Sequence, residues 1–188
     1  MVVMYVVLGV LALVVLYVMG TYNGLVRLRQ HVRESWSGID TELKRRYNLI
    51  PNLVETVKGY ASHEKETLDR VISARAKAVN STGSPEAQAQ DENMLVGALR
   101  QLFAVVENYP DLKANQNFLE LQGELTATED RIQAARRFYN ANVRDMNTRI
   151  EVFPSNVIAN LFAFKREEFF ELEDAAQREV PKVSFGTG

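Results

Sequence analysis

FLELQGELTATEDRIQAARRFYNANVRDMNTRIEVF, residues 118–153, decides the fold class. Phe118, Leu125, Ile132, Tyr139, Met146 and Phe153 recur every seven residues, and Leu121, Thr128, Ala135 and Asn142 fill the companion series. Apolar side chains at that period line one face of a helix packed lengthwise on other long helices, as in a coiled coil. Ile132 is therefore expected in a core and Gln133, about 100° further round the helix, in solvent. Phe153-Pro154 is expected to end the helix, since proline has no N–H to continue the ladder.

The same reading extends outward in both directions. Upstream, Asn108-Tyr109-Pro110-Asp111 turns the chain. A helix from Pro85 to Asn108 precedes it, with Leu95, Ala98, Leu99, Leu102, Phe103, Val105 and Val106 on its face. Ser84 is its N-cap and Pro85 its first residue. The stretch Asn80-Ser81-Thr82-Gly83-Ser84-Pro85 reads as a loop. Before it, Trp36, Ile39, Leu43, Ile50, Leu53, Val54, Val57, Tyr60, Ala61, Leu68, Val71 and Ile72 form one long helical pattern. Leu43, Ile50, Val57 and Val71 keep phase through Pro51, which predicts a kink or a tight junction inside a single rod rather than a change of direction. Downstream of Pro154 a shorter amphipathic piece carries Val157, Ile158, Leu161, Phe162, Phe164, Phe169, Phe170 and Leu172. No segment alternates with period two, so strands are not expected.

The N-terminus adds a different solvent. The first 26 residues hold no charged side chain, and VVMYVVLGVLALVVLYVM (2–19) is apolar throughout. Eighteen helical residues span about 27 Å, close to the ~30 Å hydrocarbon core of a bilayer. Tyr5, Tyr17 and Tyr22 sit near the two ends, where interfacial rings are favoured. A cleaved signal peptide would need a basic start and a shorter apolar run, so a retained anchor is expected. Arg27, Arg29 and Arg33 follow the span and place the C-terminal side in the cytoplasm, the N-terminus outside. The expected architecture is all-α, a transmembrane helix continuing into an antiparallel bundle of about four long helices. Residues 1–26 are read as the anchor, 27–180 as the bundle and 181–188 as a flexible C-terminal tail.

Composition narrows the chemistry. Twenty-four acidic against 22 basic residues give a net charge of −2, without the basic excess of a nucleic-acid binder. With no cysteine and two histidines, thiolate catalysis, cysteine-held metals and a histidine-rich metal site are excluded.

Several phrases together resemble the LemA family of bacterial membrane proteins. They include Tyr22-Asn23-Gly24-Leu25-Val26-Arg27-Leu28-Arg29, Trp36-Ser37-Gly38-Ile39-Asp40 and the long run from Leu43 to Glu64 centred on Tyr47-Asn48-Leu49-Ile50-Pro51-Asn52. Tyr109-Pro110-Asp111-Leu112-Lys113-Ala114-Asn115, Ala134-Ala135-Arg136-Arg137-Phe138-Tyr139-Asn140, Phe153-Pro154-Ser155-Asn156 and Pro181-Lys182-Val183-Ser184-Phe185 complete the match. The resemblance implies a single-pass protein of the bacterial inner membrane, N-terminus out and C-terminal domain cytoplasmic. It implies no agreed activity and no functional residues, and one branch is similar to proteins of magnetosome membranes.

Candidate chemistry is sparse. His63-Glu64 is the single His–carboxylate neighbour pair, but the Glu-x-x-His motif of a di-iron bundle is missing: Tyr60 and Leu28 stand three before His63 and His31. Thr128, Glu129, Arg136, Asn140, Asn142 and Asn147 fall on or beside the packed face and are expected to bond across helices and fix register, with a ligand or partner surface as the alternative. Lys44-Arg45-Arg46, with Lys58 beyond, reads as a solvated helix face or a contact for headgroups or an acidic partner. Gly20 and Gly24 have the spacing of a close helix–helix contact, a weak dimerisation signal at the membrane edge. Asn80-Ser81-Thr82 has the form of a glycosylation acceptor, without meaning in a cytoplasmic loop. No catalytic, cofactor-binding or metal-ligating residue is assigned. The expected function is a non-enzymatic interaction scaffold. Its partners would be the lipid bilayer, through residues 2–20, an unidentified membrane or cytoplasmic protein, and a second copy of the chain. The rival readings are a self-assembling, membrane-shaping protein with its Phe162–Phe170 segment on lipid or at a subunit contact and, more weakly, a ligand sensor.

Overall fold

A single helix, α1 (Val2–Tyr60), carries the chain from its N-terminus through the whole length of the bundle. The structure, a computed structural model, describes residues 1–172. The tail 181–188 and the last residues of the 27–180 segment lie outside the described residues. None of α1's most apolar 18-residue window is buried, and packing begins at Thr21. From there Thr21, Leu25, Val32, Ser35, Ile39, Leu43, Arg46, Ile50, Leu53 and Val57 form a buried stripe.

Pro51 lies inside α1 with its ring exposed, and the helix passes it unbroken, as its phase predicts. Its missing N–H leaves the Tyr47 carbonyl without a helical donor. Arg75 Nε, from the next helix, donates to that carbonyl at 2.7 Å. The rod nevertheless stops at Tyr60 rather than running on to Asn80. A turn at residues 61–64 sends α2 (Lys65–Val79) back along α1. Phase could not show this. Val57 and Val71, fourteen apart, are both fully buried because two antiparallel helices point them into the same core.

Helix α3 (Pro85–Val106) returns beside α2, tied by Lys77–Asp91 at 3.1 Å and by Arg70 to Gln101. Ser84 Oγ accepts from the Ala87 N–H as its cap, at 3.5 Å. Gly83 is required just before it, since a Cβ there would sit 2.9 Å from Ala87 Cβ. One turn, α4 (Pro110–Lys113), leads to α5 (Gln116–Glu151), capped by Asn115 Oδ1 on the Phe118 N–H at 3.0 Å. Helix α5 runs antiparallel to α1 in constant register: Asn115 meets Tyr60, Glu129 meets Arg46, and Tyr139 meets Trp36. The described residues contain no strand.

Phe118, Leu125, Ile132, Tyr139 and Met146 are buried as expected, but Phe153 is 81% exposed. A straight α-helix drifts ~20° per heptad against a seven-residue repeat, so about 100° over five. Val143 and Ile150 take over the buried stripe from Asn142 and Phe153, and α5 ends at Glu151. Gln133 is half-buried rather than solvent-facing, because it borders a gap between α5 and α3.

Beyond Pro154 the chain is helical only over α6 (Ser155–Leu161). Ala163, at φ 54°, then reverses it: the Phe164 N–H reaches Ala159 O (2.9 Å) and the Ala163 N–H reaches Asn160 O (3.1 Å). These two bonds form a Schellman motif with alanine where glycine is usual. Residues 164–172 continue as a non-helical strap in the seam between α1 and α5, so the predicted amphipathic piece is half helix and half strap.

Two apolar cores result. One joins Ile50–Val57 of α1 with α2, α3, α4 and the start of α5. The other joins Leu25–Leu43 of α1 with α5 from Ile132 onward, α6 and the strap. Arg46 lies between them.

Candidate functional site

Arg46 occupies a core position of α1, spaced by three and four between Leu43 and Ile50, and its side chain is 1% exposed. A buried guanidinium must be paired, and α3 and α5 each supply an acid. Arg46 Nη2 donates to Glu92 Oε2, and Nη1 donates to Glu129 Oε2 at 2.7 Å. Glu92 stands in the buried stripe of α3 between Ala89 and Leu95, and its other oxygen accepts from the Tyr47 hydroxyl. Burial, then the neighbouring Glu92 carboxylate, pushes the Tyr47 hydroxyl well above the ordinary tyrosine range, so it stays a donor. Arg46 can satisfy both acids only when α1, α3 and α5 share one axial alignment. The node therefore fixes register, a well-attested use of buried polar groups.

Beside the node, α3 does not close on α5. A cavity of about 440 Å³ opens there, with Val96, Leu99 and Phe103 on one wall and Leu125, Thr126 and Gln133 on the other. Arg46 and Glu129 line it, and Arg100, Arg136 and Leu172 border it. Its lining mixes the apolar Val96, Leu99, Phe103, Leu125 and Leu172 with charges of both signs, Asp130 among them.

The polar residues of α5 divide between two tasks. Glu129 bonds across helices to α1, as expected. Asn140, Asn147 and Arg136 instead hold the backbone of the strap. Asn147 donates to Glu167 O and accepts from the Glu167 N–H, both at 2.9 Å. Asn140 repeats the pattern on Phe170 at 3.1 and 3.0 Å, and Arg136 donates to Leu172 O at 2.7 Å. The spacings agree: seven helical residues rise ~10.5 Å, which three near-extended residues also cover. Tyr139 adds a hydroxyl bond to Glu168 O at 2.8 Å, and Trp36 packs its ring on Tyr139 and Phe170. Burial, with Glu167 and Glu168 nearby, raises the Tyr139 hydroxyl as well. Asn142 Nδ2 is buried without a partner, and Thr128 is buried in the core.

The remaining candidates are dispersed. Lys44 and Arg45 pair with Asp40 and Glu42 on the surface, so the basic run is a solvated face only in part, Arg46 having turned inward. Lys58 is exposed beside Glu55. His63 is exposed, whereas Glu64 accepts from the Tyr109 hydroxyl at 3.0 Å. Among the described residues no three His, Cys, Asp or Glu side chains converge as metal ligands. Gly20 and Gly24 face open space, with nothing within 4 Å of an added Cβ.

Known proteins are similar to this sequence across most of its length. Protein LemA of Metamycoplasma hominis is 29% identical over 165 residues, covering 86% of this chain and 74% of that protein. Magnetosome protein MamQ 2 of Paramagnetospirillum magneticum is 27% identical over 199 residues, covering 93% and 73%. Magnetosome protein MamQ of Magnetospirillum gryphiswaldense is 25% identical over 184 residues, covering 85% and 68%. Residues 35–185 match the model of the LemA family, a region that takes in Arg46, Glu92, Glu129 and both strap-holding asparagines. The chain belongs to the LemA family.

Proposed function

We propose that this protein is a non-enzymatic scaffold held in the bacterial inner membrane by residues 2–20, N-terminus out, with its bundle in the cytoplasm. The observation that carries this reading is the continuity of α1: its exposed apolar third and the central helix of the bundle are one unbroken helix. Arg27, Arg29 and Arg33 support the orientation, since basic residues just beyond a span are retained inside. The names of these relatives, Protein LemA and Magnetosome protein MamQ, state no enzymatic activity, which supports the non-enzymatic reading.

The groove between α3 and α5 is the face offered to a partner protein. Its walls suit an apolar side chain, and Arg100 at its border suits a neighbouring carboxylate. The test combines topology and capture. A reporter fused after Gly188 should be active in its cytoplasmic form, and a photo-cross-linker replacing Val96 or Gln122 should trap a discrete protein that one replacing Glu66 does not. Reporter activity only outside the cytoplasm overturns the orientation. Identical capture from groove and control positions overturns the assignment of the groove.

A further inference from the structure

Residues 152–164, VFPSNVIANLFAF, contain no charge, a second neutral stretch after the N-terminal one. In a core such a stretch would need no comment. Here it is largely uncovered: Phe153 is 81% exposed and Leu161 71%, and Val152, Val157 and Phe162 are exposed beside them. Exposed apolar side chains elsewhere in the bundle are scattered singly, which is ordinary for a protein surface. Five within eleven residues are a patch, and patches of this kind mark contact surfaces.

The position of the patch selects what covers it. Helix α5 runs antiparallel to α1, and the constant register brings its last residues level with about Gly24. The loop and α6 follow at that same end. Phe162 packs its ring at a tilt against Tyr22 with ring centroids 4.7 Å apart, and Tyr22 is two residues beyond Gly20, where the uncovered apolar helix gives way to the packed bundle. Arg29 lies over the Phe164 ring at 5.1 Å, and Lys165 is exposed just past the neutral stretch, where Arg166 pairs with Glu151 at 3.1 Å across its two ends. A neutral, uncovered apolar face at the exit of a membrane span, with Arg29 and Lys165 beside it, has the composition of an interfacial membrane contact.

We propose that the α5–α6 loop and α6 form a second membrane contact, with Phe153, Val157, Leu161 and Phe162 immersed at the headgroup–acyl boundary of the leaflet from which α1 emerges. This rests on the reading of α1 as a span. Such side chains reach ~5–10 Å into that boundary. One contact fixes the bundle to the bilayer, and a second, to one side of α1, fixes which face of the bundle looks toward it.

The absence of native cysteine makes the test direct. Val10→Cys, Phe153→Cys, Val157→Cys, Leu161→Cys and Ser62→Cys are introduced singly in the full chain and labelled with an environment-sensitive fluorophore. Each protein is reconstituted in vesicles of phosphatidylcholine with phosphatidylglycerol carrying shallow or deep lipid spin labels. Labels at 153, 157 and 161 should be quenched by the shallow spin label several-fold more than the label at 62, in the distal turn, and the label at 10 by the deep one. Quenching at 10 with none above the Ser62 control at 153, 157 and 161 overturns the second contact and leaves the span intact. Loss of quenching at 10 as well overturns the span and this proposal together. A label at 157 or 161 that is shielded from water and self-quenched between copies of the chain, but not quenched by the lipid probe, assigns the patch to a second copy and overturns the membrane contact. As a second variant, Val157→Glu with Leu161→Glu changes only exposed positions. It should abolish quenching at 153 while leaving the helical circular dichroism unchanged.

Discussion

Truncating Arg46 to methionine should cost on the order of 3–5 kcal/mol, because Glu92 would keep only the Tyr47 hydroxyl and be left as a buried carboxylate without its cation. Adding Glu92→Leu should recover part of that loss, since an apolar pair replaces a buried ion pair at little cost while the Tyr47 hydroxyl loses its acceptor. Denaturant unfolding of the detergent-solubilised chain measures both. If the double variant is no more stable than Arg46→Met alone, Glu92 is not the group that Arg46 neutralises. The tyrosines give a pH signature. Tyr47 and Tyr139 hold their protons more tightly in the folded chain than in the unfolded one, whose tyrosines titrate near 10. Their contribution is complete below about pH 10 and is lost as pH rises above it. Stability should therefore fall in that alkaline range, and less steeply in a Tyr47→Phe, Tyr139→Phe variant; parallel pH profiles would rule the two hydroxyls out. The node was partly legible in the sequence. Arg46 and Glu92 each interrupt an apolar stripe at core spacing, a sign hidden when Arg46 is read only as the end of Lys44-Arg45-Arg46. Which acids meet it depends on the axial register of three helices, and no local pattern carries that.

Among the elements, α1 and α2 are joined by a compensation. Pro51 cannot serve the Tyr47 carbonyl, and Arg75 does. Arg75→Met should cost about 1–3 kcal/mol in the native chain by leaving that carbonyl unpaired. In a Pro51→Ala background the restored N–H takes over, so the same change should cost less. A double-mutant cycle is expected to return a coupling of roughly 0.5–3 kcal/mol, and additive effects would break the link. Helical phase identified α5 and α3, the latter with its Ser84 cap, and the course of α1 as far as Tyr60, because amphipathic period and capping are properties of a few neighbouring residues. It missed the turn at residues 61–64, where antiparallel helices share one core and phase survives reversal. It also missed the strap. Asn140 and Asn147 announce themselves as polar groups on a packed helix, but their partner is backbone, which has no sequence signature.

At the scale of the whole molecule, an all-helical bundle carried on an apolar N-terminal helix was readable from the heptads and the charge-free start. The vacancy between α3 and α5 was not, since it depends on which helix pairs close and which stay apart. The unbroken passage of α1 from Gly20 to Thr21 has a mechanical meaning. The part of α1 from Thr21 to Tyr60, at ~1.5 Å per residue, is about 60 Å long. Membrane helices tilt by ~20° on average, more when the hydrophobic stretch exceeds the local thickness of the bilayer. With no hinge between the two parts, a tilt of that size swings the distal turn sideways by about 20 Å. For an anchored chain, α1 is then a lever whose fulcrum lies at the lipid surface, and bilayer thickness sets how far its far end can reach.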